Sequence, residues 1–487
     1  MATGIPRTRW QTGLAPAPGK GREDGNTDVH LSYEGKRPKQ EILSTPPAVC
    51  RLLWPDAAAA SGVTRLYYGD NLPLLAALLD DRRVREQVRL VYIDPPYATR
   101  SVFQSRNQAD AYADLLEGAH YLEFLRERLI LLRELLASDG SIYVHLDDNM
   151  AFLVKAVMDE VFGRANFRNW ITRKKCNPKN YTRKAYGNVA DYILFYSKTD
   201  NYVWHRPVDA WTEERAMKEY QYVEAGTGRR YKKVPVHAPG VRNGETGQTW
   251  RGTKPPPGKH WQYPPRVLDE MDSRGEIYWS PTGNPRRKIY LDESEGVPVQ
   301  DIWLDYRDAH NQNIHVSGYP TEKNPHLLSR FVSASSNEGD LVLDCFSGSG
   351  TTLSVAAHLG RHWIGIDNSA EAIRATLRRF GKGLEPMGDF VSRLEASERE
   401  EATDVNLLLP GLEQTEKPLP RAIARHRVIR DFSLFAQEPY AGGLDDSLDQ
   451  WNDWIGEAAV SHLAEQPTQY RTAPIPKRPR EGRGRRR

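Results

Sequence analysis

The chain has 487 residues, of which 39% are hydrophobic and 27% charged, which is enough for two or three folded units with their own cores. No apolar run approaches the about 18 residues a membrane span requires, and the start MATGIPRTRWQTG lacks the apolar core of a secretory leader. Cys50, Cys176 and Cys345 lie far apart and match neither a disulfide framework nor a zinc site, so a reducing, cytosolic setting is expected, with no membrane partner.

The net charge of +3 hides an uneven distribution. Residues Lys477 to Arg487 (KRPREGRGRRR) hold seven positive charges and one negative, so the remainder is net negative. Residues 1–48 are rich in Gly and Pro without periodicity and read as a flexible extension. Ordered structure is expected from about Cys50. Arg65 to Asn71 (RLYYGDN) reads as a strand leading into the helix NLPLLAALLDD, with Asn71 as its N-cap. Asp70 has two readings, a ligand to an amino group or a cap for the next turn.

Val91-Tyr92-Ile93 then runs into Asp94-Pro95-Pro96-Tyr97. A proline cannot donate to a sheet ladder, so the strand stops there, and two in succession hold the backbone extended. The loop presents one carboxylate, one carbonyl left unclaimed by the sheet and one aromatic face, at the strand end where open α/β sheets bind ligands. Those groups suit an exocyclic amino group on a flat base. Thr99 to Asp114 is polar and fits a lid.

Leu122, Leu125, Leu129, Leu132 and Leu136 recur at intervals of three and four, which predicts an amphipathic helix over 120–137 closed by Asp139-Gly140. Ser141 to Asp147 reads as a strand, with His145 as a structural residue, and Met150 to Phe162 as a helix. Alternating strands and helices predict a parallel α/β sheet. From Ile171 to Lys288 the character changes, to 23 Lys/Arg, 12 Asp/Glu and 16 aromatic residues. Basic and aromatic residues interleaved with Gly and Pro predict a β-rich unit that meets nucleic acid. Its candidate contacts are Arg173, Lys174, Lys175, Arg183, Lys184, Arg229 and Arg230. Some of the tryptophans are expected to form the unit's own core.

The α/β pattern resumes at Thr321-Glu322-Lys323-Asn324-Pro325. Leu341 to Phe346 is a buried strand, Ser347-Gly348-Ser349-Gly350-Thr351-Thr352 a turn into a helix, and Trp363 to Asp367 the next strand. Asp367 stands 17 residues past Gly350, as an acid that takes ribose hydroxyls should. The third glycine of a dinucleotide site is missing, and no lysine follows as in a P-loop. A nucleoside ligand without pyrophosphate, such as S-adenosylmethionine, fits best.

Taken together, DPPY (Asp94 to Tyr97) and the glycine motif from Asp344 to Gly350 resemble the paired motifs of amino-directed DNA methyltransferases. Their order, with a recognition insert between, is similar to the β group. RLYYGDN, GSIYVHLDDNM, DYILFYSK, TEKNPHLLSRFV and HWIGIDNS also resemble the modification subunits of type III restriction systems, over roughly Val63 to Leu384.

The resemblance implies an α/β, Rossmann-like mixed sheet carrying a β-rich target-recognition insert. It implies transfer of a methyl group from S-adenosylmethionine to the N6 amino group of adenine in duplex DNA by base flipping, with N4 of cytosine as the alternative. Asp94 and the Pro95 carbonyl, followed by Pro96, would hold the amino group, and Tyr97 would stack on the flipped base. Asp344, Phe346, Ser347, Gly348, Ser349, Gly350, Thr351, Thr352 and Asp367 would bind the cofactor. Asp94 and Lys323 would border it, and Asp70 would face its adenine. No metal is required.

A homodimer, a restriction or other defence-system subunit and a catalytically silent DNA-binding scaffold stay open, in a bacterial or archaeal cytoplasm with DNA as the anchor. The implied division is an extension (1–48), a catalytic half (49–170), an insert (171–318), a cofactor half (319–385), a region without assigned chemistry (386–476) and a basic tail (477–487). The tail reads as an arm that binds phosphates without sequence choice. Deleting Lys477 to Arg487 is expected to flatten the salt dependence of DNA binding by about 0.9 in log–log slope for each phosphate the tail neutralises, measured by titration at several salt concentrations.

Overall fold

The computed structural model describes residues 31–55, 62–96, 102–104, 110–113, 118–176, 184–305, 315–316, 322–383, 385–386, 428–444 and 447–453. Tyr97, Arg183 and the basic tail lie outside the described residues, as does most of the expected lid, of which Val102–Gln104 and Asp110–Ala113 pair antiparallel.

Among the described residues, ten strands form one large sheet. They are β1 (Cys50–Trp54), β2 (Arg65–Tyr68), β3 (Val88–Ile93), β4 (Leu136–Leu146), β5 (Phe167–Lys174), β6 (Ala190–Ser197), β7 (Ile302–Trp303), β8 (Leu341–Asp344), β9 (His362–Asp367) and β10 (Ser433–Gln437). Their spatial order is β1-β10-β2-β9-β8-β3-β4-β6-β5-β7. The six strands from β10 to β4 run parallel, and β1 and β6 are antiparallel to their neighbours in that block. The sheet is therefore mixed, with a parallel centre.

Strand β3 shows why both faces are covered. Its side chains alternate, as a pleated strand requires. Val91 and Ile93 join a core with α2 (Asn71–Asp80), α3 (Gly118–Leu135) and α4 (Ala151–Phe162). Leu90 and Tyr92 join a second core with α5 (Pro325–Ser335), α6 (Thr351–His358) and α7 (Ala370–Lys382). Every residue of β8 is buried, as expected of a central parallel strand. Asp94, two residues past Tyr92, is aimed to the side from which α5 approaches.

The structure corrects four expectations. Residues 31–48 pack on the body. Tyr33 donates a 2.6 Å hydrogen bond to Glu123, and the Arg37 amide donates to the same carboxylate at 3.0 Å. Helix α3 stops at Leu135, so Leu136 opens a strand and Gly140 lies inside that strand. A Cβ at Gly140 would come within 2.8 Å of the Val88 carbonyl oxygen, which explains the glycine. The N-cap of α2 is Asp70, whose carboxylate accepts from the Leu72 amide at 3.0 Å. Finally, β5 and β6 belong to the large sheet, so the separate part of the insert begins after Ser197.

Within that part, Tyr222–Val223, Arg230–Pro235, Pro285–Tyr290 and Ile277–Trp279 form a four-stranded sheet. Trp250 and Trp261 are buried with Val236, Leu268, Met271 and Ile277, so these tryptophans are core.

Strand β10 comes from the region to which the sequence assigned no chemistry. It lies between β1 and β2, with Leu434 and Ala436 fully buried. Leu434→Ala is expected to lower the free energy of unfolding by about 2–5 kcal/mol, read by urea denaturation against the exposed control Arg430→Ala, which should stay near the parent.

Candidate active site

The carboxyl ends of β3, β8 and β9 open into one cleft. Asp94, Pro95 and Pro96 line one side, and Phe346, Ser347, Gly348, Ser349, Thr351, Thr352 and Asp367 line the other, with Asp344, Lys323 and Tyr92 between them. Three neighbouring parallel strands thus bring the DPPY loop and the glycine turn together, where such sheets place ligands.

The loop after β3 holds its acid in a defined place. Lys323, the residue before the Asn324 cap of α5, puts its ammonium nitrogen 2.8 Å from an Asp94 carboxylate oxygen.

The glycine turn is tightly specified. Gly348 and Gly350 have φ of +50° and +71°, a region that suits glycine. A Cβ at Gly350 would also come within 2.7 Å of the Thr376 side chain. The Ser347 amide donates to the Ile366 carbonyl at 3.0 Å, and the Gly348 amide donates to Asp367 at 2.8 Å. From outside the turn, Arg379 of α7 donates to the Ser349 carbonyl at 2.7 Å and is itself paired with Glu322, both side chains being buried. Asp367 accepts from the Ser369 amide as well, at 2.9 Å. A carboxylate has about four lone-pair sites, so with the Asn368 amide acting on it as well, capacity is left for a ligand hydroxyl.

Two acids in the cleft are hard to ionise. Burial, reinforced by the charges of Asp94 and Asp367, pushes Asp344 up to about 7, against hydrogen bonds from Thr352 and the Phe346 amide. Burial pushes Asp367 up to about 6, against the amides of Ser369 and Gly348.

The other expected site residues are placed elsewhere. Asp70 caps α2 and pairs with Arg128 at 3.1 Å, and it is not among the residues lining the cleft. Arg173 is a correction. It is fully buried and pairs with Asp191 at 3.3 Å, so it is no DNA contact. Lys175 meets the same carboxylate at 3.0 Å. Arg229 is held by Asp292 and Glu293 and lies over the Tyr290 ring. Lys184 is exposed, while Lys174 and Arg230 are half-buried on their strands. The structure adds Tyr92, Glu322 and Asn368 to the cleft and Arg379 behind it. Glu322 adjoins Lys323 in the TEKNPHLLSRFV stretch, but nothing in the helix sequence singles Arg379 out from Arg374 and Arg378.

Residues 88–378 match the model of a family described as DNA methylase. The chain belongs to the DNA methylase family that acts on N6 or N4 amino groups. It is similar to type II methyltransferase M.EcaI of Enterobacter cloacae, at 44% identity over 84% of this chain and 87% of that one. It is also 27% identical to the StyLTI Mod subunit of a type III restriction-modification enzyme of Salmonella typhimurium, over 58% of this chain and 48% of that one. Among solved structures, the M1.HpyAVI–SAM complex aligns at 14% identity with a TM-score of 0.37, over 65% of this chain and 98% of that one.

The protein is thus a restriction-modification-type DNA methyltransferase that uses S-adenosylmethionine. The donor set fits this cofactor: an acid at the end of β9, a backbone turn free of bulky side chains, and neither the lysine nor the third glycine of a pyrophosphate site.

The raised acids give a pH signature. A carboxyl held near 7 when folded, and near 4 when unfolded, stabilises the fold below about pH 4 and loses that contribution as pH rises through 7. Asp344→Asn is expected to shrink the fall in melting temperature of the cofactor-free protein between about pH 5 and pH 8. Differential scanning fluorimetry across that range checks it, and an unchanged slope would place the titration elsewhere.

Proposed function

We propose that this chain is a site-specific DNA methyltransferase that modifies the N6 amino group of adenine in duplex DNA. The observation that carries this reading is Asp94, held at the end of β3 beside the Pro95 carbonyl and facing the same cleft as the glycine turn. The Asp at the first position of DPPY supports adenine over cytosine, since the sequences it resembles carry Asp there in adenine enzymes and more often Ser in N4-cytosine enzymes.

The chemistry asked of the chain is modest in kind and strict in geometry. An exocyclic amino nitrogen is a poor nucleophile because its lone pair is delocalised into the ring. The Asp94 carboxylate and the Pro95 carbonyl accept its two hydrogens, which favours a pyramidal nitrogen with its lone pair free. The cofactor, when bound, supplies an electrophilic methyl group on a positively charged sulfur. Phe346, the turn from Ser347 to Thr352 and Asp367 set where that methyl lies, so positioning provides much of the rate. As positive charge builds on the nitrogen, the negative Asp94 carboxylate stabilises it. The base is inaccessible within the duplex and must be flipped out, with Tyr97 stacking on it to offset part of the lost base stacking.

The insert reads the duplex, and Lys174, Lys184 and Arg230 remain as described candidates for phosphate contact. The likeness to a Mod subunit supports a further restriction partner, and a homodimer is the other assembly considered.

Asp94→Ala is expected to lower methyl transfer by at least about a hundred- to a thousand-fold while duplex binding stays within a few-fold of the parent. The check is mass spectrometry of nucleosides from DNA of cells expressing either chain. N6-methyladenine that depends on Asp94 supports the reading, N4-methylcytosine moves it to cytosine, and neither product points to a missing subunit or a silent scaffold.

A further inference from the structure

Behind the catalytic loop, four adjacent strands each contribute one buried polar side chain to a continuous row. Tyr92 of β3 meets His145 of β4, with 2.9 Å between the phenol oxygen and Nδ1. His145 Nε2 lies 3.2 Å from Asp191 of β6, and Asp191 pairs with Arg173 of β5. His145 and Arg173 are fully buried, and Tyr92 and Asp191 are each 2% exposed. Tyr92 also lines the cleft, on the same side of β3 as Asp94.

The charges in the row determine the direction of its hydrogen bonds. Burial works against ionisation of Asp191, yet the hydrogen bond from His145 and the neighbouring cations hold its carboxyl below the usual range, so it is a carboxylate and only accepts. Burial, helped by the Lys323 charge, lowers His145, which is therefore neutral near pH 7. A neutral imidazole has one N–H. Asp191 can only accept, so that hydrogen is on Nε2 and Nδ1 is a bare acceptor. The Tyr92 hydroxyl must then donate to Nδ1. Burial, with the charges of Asp94 and Asp344, also raises Tyr92 well above its ordinary value, so it keeps its proton. With its proton committed to His145, the Tyr92 oxygen keeps only lone pairs for any further contact.

We propose that Tyr92 is a further residue of the reaction centre, an oriented acceptor for the charge that builds on the amino nitrogen, and that Asp191, acting through His145, is the positioning residue that fixes this polarity. The inference rests on the amino-transfer reading above but not on adenine, because cytosine N4 presents the same group. The two amino hydrogens go to Asp94 and the Pro95 carbonyl, so the Tyr92 lone pairs act on the positive charge that develops on nitrogen, a charge that a keto oxygen would not carry. Without Asp191 the imidazole is free to take the other tautomer, and the Tyr92 proton can turn towards the cleft.

The test is single-turnover transfer of tritiated methyl groups to total unmethylated DNA, with calorimetric affinities for S-adenosylmethionine and fluorescence affinities for duplex DNA. The variants are Tyr92→Phe, Asp191→Asn, the double variant and Asp94→Ala. Tyr92→Phe removes one oxygen and preserves the stack on Phe331, so its fold should persist. Its transfer rate is expected to fall about 10- to 100-fold, with both affinities within about threefold of the parent. Asp191→Asn should slow transfer in the same way, and the double variant should be no slower than the slower single, the mark of groups acting as one unit.

Parent-like transfer by Tyr92→Phe, or cofactor affinity lost in step with rate, would overturn the proposal. So would effects of the two substitutions that multiply. If Asp94→Ala is inactive while Tyr92→Phe is not, this inference fails alone. If the parent chain transfers nothing to DNA, the reading of this chain as an amino methyltransferase acting alone fails and this inference with it.

Discussion

The site depends on one pairing of parallel strands. Leu343 lies opposite Val91, so β8 and β3 end side by side although about 250 residues separate them. Parallel strands that start level also finish level, and each finishes in something that cannot continue a sheet. One ends in two prolines, the other in a turn with two glycines of positive φ. The insert can be long because it leaves and re-enters at the sheet's other end, through β5, β6 and β7, without disturbing that pairing. Asp94 and the glycine turn are therefore set in place by backbone hydrogen bonds, and their side chains only complete the geometry of the cleft.

Electrostatics in the cleft follows from the same crowding. Asp94, Asp344 and Asp367 sit on three neighbouring strand ends, and not all of them are readily charged together in so little water. Lys323, entering from α5, is the cation placed beside the acid that needs to stay available. Asp344 tends instead to keep its proton and accepts a hydrogen bond from the Phe346 amide, which ties the start of the turn to the end of its strand.

Much of this was legible in the sequence because the informative features are short. DPPY, the glycine turn and Asp367 each owe their shape to a few consecutive residues, and the structure gathers all of them that it describes into one cleft. The failures came where a residue's role is set by something distant. Arg173 looked like surface charge, but a carboxylate on the adjacent strand neutralises it in the core. Asp70, by contrast, had two readings, and the structure bears out the cap, with Arg128 beside it. The leucine repeat ran one residue past its helix because Leu136, already in a strand, packs into the same core. SLFAQ, the sequence of β10, carries no local sign that it completes a sheet begun nearly four hundred residues earlier.

That last strand bears on how the molecule comes into being. Leu66 and Leu434 lie opposite each other, so during synthesis β2 and β1 are made long before the strand that belongs between them. Until about residue 437 has left the ribosome, one edge of β2 is open beside the strand that carries Asp367. Pairings of such sequence separation close slowly, because a long loop must be ordered before the pairing repays it. A chain that stops short of β10 leaves that edge of β2 open and β1 without its neighbour in the sheet.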